Sequence, residues 1–179
     1  MRPADANVAA AIARLSAHDL PDRRTPTSPE TFQDDVLAFL HEHGLEHGKF
    51  TSLVKDMRDV AEAFFTLSGH RPVKFRLLTT DQNDCQRFHV DYRHLRLLCT
   101  YQGPGTQWLR NAQVNRDAEA SGASNAEILR FGDIQHFEPF WVGIFKGSAH
   151  PGNANSGLVH RSPPIEGSGQ VRVLFCLDC

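Results

Sequence analysis

The sequence predicts an α+β fold in which an N-terminal helical segment packs on an antiparallel β-sandwich or barrel. Two observations carry this. Up to Gly69, apolar residues recur every three or four positions, the period of a helix with one buried face. From residue 72 onward, the chain breaks into short pieces rich in branched and aromatic residues, divided by Gly, Pro, Asn and Asp. Residues 1–70 are therefore read as the helical segment and 71–179 as the β core, within a single domain that a chain of 179 residues can support.

Taken in order, ADANVAAAIARLSA is a short Ala-rich helix closed by the Pro-rich linker LPDRRTPTSP. Ser28 and Pro29 form an N-cap and first-turn pair for a second helix, with Phe32, Val36, Phe39 and Leu40 on one face before Gly44. A third helix is expected from Thr51 or Ser52, with Leu53, Met57, Val60, Phe64 and Leu67 as its stripe, ending at Gly69. The expected strands are VKFRLLTT, LRLLCTY, TQWL, EILRFGD, FWVGIFKG, GLVH and QVRVLFCLD. So many short pieces in the last 110 residues suit antiparallel pairing better than alternating β and α. Residues 111–126, NAQVNRDAEASGASNA, read as an exposed loop of the kind that can cover a substrate.

A formal charge of −2 gives no general attraction to nucleic acid. Arg71, Lys74, Arg76, Arg87, Arg93 and Arg96 are dense locally but interleave with Asp81, Asp84 and Asp91, as on a solvated mixed-charge surface. No apolar run has the roughly 20 residues of a membrane helix, and the first residues lack the apolar centre of an export signal. A cytoplasmic protein with no membrane partner and no nucleic-acid partner is expected. Cys85, Cys99, Cys176 and Cys179 are then reduced thiols by default. Cys176 and Cys179 have the spacing of half a zinc site, but no second such pair exists.

His89 and Asp91, two apart in HVD, share one face if the segment is a strand. An imidazole and a carboxylate can then meet one cation. His160, in GLVHRSPP, offers a third ligand, and two imidazoles with one carboxylate leave positions open on a metal. Arg172 lies inside the apolar stretch VRVLFCLD and needs an anion, either a small dicarboxylate or a protein carboxylate such as Asp178 or Glu166.

The progression HVD, LRLLCTY, TQWL, VGIFKG, GLVHRSPP and QVRVLFCLD resembles the double-stranded β-helix of the Fe(II)- and 2-oxoglutarate-dependent dioxygenases. The stretches CTYQGPGTQWL and GLVHRSPP also resemble a bacterial domain family known only as of unknown function. The resemblance implies a jelly-roll or cupin-like barrel over about residues 73–179, with the helices packed on it. It implies iron held by His89, Asp91 and His160, with Arg172 on the far carboxylate of 2-oxoglutarate as small-molecule cosubstrate. Tyr101, on the strand after HVD, is expected by parity to face the same cavity and bond the cosubstrate, or else to be an ordinary core tyrosine. Trp108 and Trp141 are read as cavity walls or as packing.

Other readings remain beside this one. His43, Glu46 and His47 in HEHGLEHGKF have the order of an inverted zinc-peptidase motif, which works only on a continuous helix that Gly44 and Gly48 weaken. A non-catalytic zinc-binding protein would use the same His89, Asp91 and His160, with Cys85 or Cys99 added. A metal-free β-sandwich binding module is the third. No nucleophile elbow, phosphate loop or dinucleotide fingerprint is present. The residues name no substrate.

Overall fold

A computed structural model describes residues 3–69 and 71–179. Met1 and Arg2, at the start of the stretch read for an export signal, and His70, at the expected boundary, lie outside the described residues. Helix α1 (Ala6–Ile12) is capped by Asp5, whose carboxylate accepts from the N–H groups of Asn7 and Val8. The Pro-rich linker is not merely a linker, since it holds strand β1 (Thr25–Thr27).

Helix α2 (Phe32–Glu42) starts later than the Ser28–Pro29 pair predicts. Ser28 closes a turn instead, accepting from Phe32 N–H through its carbonyl at 2.9 Å and leaving Thr31 as N-cap. Helix α3 (His47–Ser68) begins ahead of the expected Thr51 or Ser52. Gly44, in the left-handed region at φ +74°, turns the chain between the two helices. None of the described helices is long and apolar enough to cross a membrane.

The remaining strands are β2 (Val73–Thr80), β3 (Leu95–Gln102), β4 (Gln107–Trp108), β5 (Gln135–His136), β6 (Val142–Lys146), β7 (His160–Arg161) and β8 (Arg172–Asp178). They form two antiparallel sheets, one in the order β1-β2-β8-β3-β6 and a smaller one in the order β5-β4-β7. The stretch EILRFGD is not a strand. Ser124 and Glu127 make a capping box that opens the short helix α5 (Asn125–Ile128). Residues 111–126 are not a bare loop either: they contain a 3-10 turn, helix α4 (Arg116–Ala120) and a buried Val114.

Alternation along the large sheet divides its residues between two faces. Phe75, Leu77, Leu97, Cys99, Val173, Phe175 and Leu177 join the stripes of α2 and α3 in one apolar cluster. Leu78, Leu98, Leu174 and Cys176 lie on the opposite face with Phe145. Arg76, Arg96 and Arg172 share the parity of this second set, so every charged group of the sheet interior points away from the helices.

Candidate metal centre

His89 does not sit in a regular strand. It is fixed by a two-way backbone exchange with His160, each N–H donating to the other's carbonyl at 3.0 Å. His160 is fixed in turn by pairing with Trp108 on β4. The chain around HVD is then held from several sides. Asp91 O accepts from Ser148 N–H at 2.9 Å, and Gly147 lies so close that an added Cβ would stand 2.3 Å from Arg93 O and 2.6 Å from Asp91 O. Val90 N–H donates to Glu119 at 3.2 Å, and Phe88 N–H donates to Asn125 at 2.8 Å.

The ring nitrogens follow from the carbonyls they meet. His89 Nδ1 lies 2.8 Å from Arg87 O, and His160 Nδ1 lies 3.0 Å from Leu158 O. A carbonyl can only accept, so each Nδ1 carries a proton and each neutral ring keeps its lone pair on Nε2. Those two Nε2 atoms face Asp91, at 3.6 Å from Oδ1 for His89 and 3.2 Å from Oδ2 for His160. One ligand atom from each of the three residues falls within 4.8 Å of the others.

Two lone pairs facing a carboxylate are mutually repulsive unless a proton or a cation lies between them. Burial alone would raise the Asp91 carboxyl. The imidazoles of His160 and His89, with the charge of Arg96, override this and hold it well below the usual carboxylate range. The Asp91 carboxylate in turn raises His89. Arg96 Nη1 approaches Asp91 Oδ2 at 2.8 Å but outside hydrogen-bonding direction, so this buried oxygen has charge beside it and no hydrogen bond. The donor set fits a divalent ion, with both imidazoles oriented through their second nitrogen.

These residues line a cavity of about 500 Å³. Arg172 also lines it, 2% exposed, and it meets only hydroxyls: Thr106 at 2.8 Å, with Thr100 and Ser162 each at 3.4 Å. Its Nε has no hydrogen-bond partner. Burial pulls the guanidinium down to about 10, and it still carries its charge at neutral pH. Neither suggested protein carboxylate reaches it by a hydrogen bond or ion pair. Asp178 is taken by Arg96 through bonds of 2.5 and 2.9 Å, and Glu166 accepts from Asn83.

Comparison with known proteins gives a family. The chain matches the family described as "Protein of unknown function (DUF1826)" over residues 1–178. It belongs to that family. No curated protein matches it. Among solved structures, it resembles a hydroxypropylphosphonic acid epoxidase from S. wedmorenis, with 7% identity, TM-score 0.33 and coverage of 61% of this chain and 47% of that one. A C-terminally truncated protein of Neurospora crassa in apo form has 18% identity, TM-score 0.38 and coverage of 84% and 47%. A dioxygenase for auxin oxidation from Arabidopsis thaliana, in complex with 2-oxoglutarate, has 12% identity, TM-score 0.43 and coverage of 99% and 72%. The chain thus spans about half the length of the first two. Likeness this slight leaves the chemistry to be argued from the residues.

One residue expected in the cavity is elsewhere. Tyr101 lies on the helix side of β3, its hydroxyl donating to Asp56 at 2.7 Å and its ring edge-on to Phe140. Parity counted from Asp91 fails because residues 91–94 are not extended strand. Thr100, the adjacent residue, faces Arg172 instead.

The candidate cysteines also separate. Cys176 lies on the cavity side of the sheet, whereas Cys179 and Cys99 pack toward the helices. Cys85 Sγ is 3.6 Å from His89 Nδ1, the protonated nitrogen rather than the one facing Asp91. The HxxEH residues straddle two helices, with His43 just beyond α2 and His47 opening α3. Trp108 stacks on Phe137 and is not among the residues lining the cavity.

Sequence reasoning missed Glu119, Asn125, Gly147 and Thr106, which carry or complete the site without an unusual residue type. The capping signature SNAE, residues 124–127, was the available signal for Asn125.

Proposed function

We propose that the protein is a non-haem Fe(II)- and 2-oxoglutarate-dependent dioxygenase whose two antiparallel sheets are the halves of a double-stranded β-helix. The observation that carries this reading is the presence, in one cavity, of two complementary features. Two imidazole nitrogens face a largely buried carboxylate, and a buried guanidinium makes its side-chain hydrogen bonds to hydroxyls, with no carboxylate hydrogen-bonded or ion-paired to it among the described residues.

His89, Asp91 and His160 would hold the iron, and the Nδ1 bonds to Arg87 O and Leu158 O keep both imidazoles in the ligating tautomer. Iron bound there would supply the redox chemistry that couples oxidative decarboxylation of the cosubstrate to oxidation of a substrate. Arg172 binds the far carboxylate of 2-oxoglutarate, and the hydroxyls of Thr106 and Ser162 fix the guanidinium's plane. Leu98 and Leu174 line the cavity between charged groups and exclude water from it. In this reading residues 71–179 carry the chemistry, residues 1–70 form a supporting layer, and the enzyme works in the cytoplasm with its thiols reduced.

An imidazole and carboxylate set also accepts zinc, so metal identity is part of the test. Metal-free protein is titrated anaerobically with Fe(II) and then 2-oxoglutarate, watching for the visible charge-transfer band of a chelated keto acid. The band is expected in the parent protein and lost in Arg172→Ala and His160→Ala. Tight zinc binding without any band would sink the 2-oxoglutarate reading and leave a metal-binding protein.

A further inference from the structure

The cavity mouth carries two guanidiniums that neither the metal site nor the cosubstrate uses. Of the five arginines lining the cavity, Arg76 is bidentate on Asp22 and adds Asp84 at 3.2 Å. Arg96 is bidentate on Asp178, and Arg172 belongs to the cosubstrate. Arg24 and Arg93 have nothing comparable. Among the described residues, the one carboxylate each meets is Asp178, at Oδ2 through Nε at 3.4 and 3.9 Å, an oxygen that Arg96 already holds at 2.9 Å.

Three guanidiniums thus converge on one buried carboxylate. A charge-assisted guanidinium–carboxylate bond normally closes to about 2.7–2.9 Å, so the two longer contacts leave charge unspent. Both side chains are half-exposed, at 41% and 42%, which leaves them open to a ligand. Because both reach the same oxygen of Asp178, one anion can span them. Arg93 is steadied by its Nη1 bond to Tyr92 O at 3.1 Å. Tyr92, which directly follows Asp91, lines the same cavity as the two arginines and is 79% exposed, a large ring left in solvent.

We propose that Arg24 and Arg93 anchor an oxyanion of the substrate, a carboxylate or phosphoryl group, with the Tyr92 ring against its planar body. The assignment to substrate rests on the dioxygenase reading, because that reading takes Arg172 to be filled by 2-oxoglutarate. The substrate class is then a planar or aromatic acid or phosphate ester, held at the mouth by its charge so that its uncharged part extends toward His89, Asp91 and His160.

The test titrates metal-free protein by calorimetry with phenyl phosphate, benzoate and the neutral isostere benzamide. Arg24→Ala/Arg93→Ala and Arg172→Ala are measured beside the parent. One of the two anions is expected to bind the parent and to keep a binding site in Arg172→Ala. Binding should weaken at least about tenfold in the double variant, for benzamide, and as salt is raised. The tighter anion identifies the oxyanion.

Binding that survives the double variant, follows Arg172 alone or is matched by benzamide would overturn the inference. The keto-acid band is scored on the same proteins. A band retained in the double variant keeps Arg24 and Arg93 on the substrate side, and a band lost there assigns them to the cosubstrate and overturns the proposal. No band in any protein, with anion binding intact, fails the dioxygenase reading and the substrate assignment with it. A parent band with no anion binding fails this inference alone.

Discussion

The two faces of the five-stranded sheet are built from the same strands and differ in almost everything else. Toward the helices, Phe75, Leu77, Leu97, Cys99, Phe175 and Leu177 are fully buried and apolar. Toward the cavity, the intervening positions of the same strands include Arg76, Arg96, Thr100, Arg172 and Asp178. The first face gains about 25 cal/mol for each Å² of apolar surface removed from water. The second bears the desolvation of several charges, offset only where geometry is good, as between Arg96 and Asp178. One face therefore supplies the stability against which the other holds its unpaired groups in place.

Substitutions that act on one face alone should separate the two. Phe175→Ala, on the central strand and facing the helices, should cost about 3–5 kcal/mol in denaturant unfolding. His160→Ala should leave the fold standing yet weaken divalent-metal binding by more than about 100-fold in a competition titration, since even outer-shell losses typically cost 10–100-fold. A stability loss in His160→Ala comparable to that of Phe175→Ala would show that the division between faces is not real.

Proton competition sharpens the same contrast. The lowered Asp91 stabilises the metal-free fold above its unfolded value near 4 and loses that contribution as pH falls. The raised His89 contributes fully below its unfolded value near 6.5 and loses that contribution as pH rises through the folded one. The metal-free site is thus most stabilising between about pH 4 and 6.5. An added divalent ion should reverse the upper limb, because it takes the place of the protons. Melting curves across pH, with and without metal, would show whether the limb reverses.

Tyr101→Phe should have the smallest effect. The loss of one hydroxyl bond to Asp56 amounts to about 0.5–1.5 kcal/mol of stability. Metal and 2-oxoglutarate binding should be unchanged, and any loss of the keto-acid band in this variant would put Tyr101 back in the cavity.

The long strands were legible because their pattern is local. VKFRLLTT, LRLLCTY and QVRVLFCLD carry enough branched residues to announce themselves, and β2 matches its sequence-read stretch at both ends. The short ones were not. EILRFGD has strand-like composition, yet Ser124 and Glu127 form a capping box just ahead of its apolar residues and start a helix. Val114 is an isolated apolar residue in polar surroundings, and its burial with Phe88, Leu109, Ile128 and Val159 depends on tertiary contact alone.

At the site, HVD and His160 could be paired on paper because ligand chemistry restricts the residue types. The surroundings of Arg172 could not, since hydroxyls are common and Ser162 lies far along the chain from Thr100 and Thr106. The inward parity assigned to Tyr101 failed for a related reason: the three irregular residues between Asp91 and β3 reset the count.

The position of β8 between β2 and β3 has a consequence for how this chain can change length. One residue added or removed within β8 would turn Val173, Phe175 and Leu177 into the cavity and press Arg172 and Asp178 among the phenylalanines, which no local adjustment could repair. Residues 166–170, exposed and carrying Gly167 and Gly169 at positive φ, form a turn outside both sheets. Insertions there would alter only the reach from His160 to Arg172. Between His160 and Asp178, drift in chain length is therefore confined to that turn, and the strand beyond it admits substitution but not insertion.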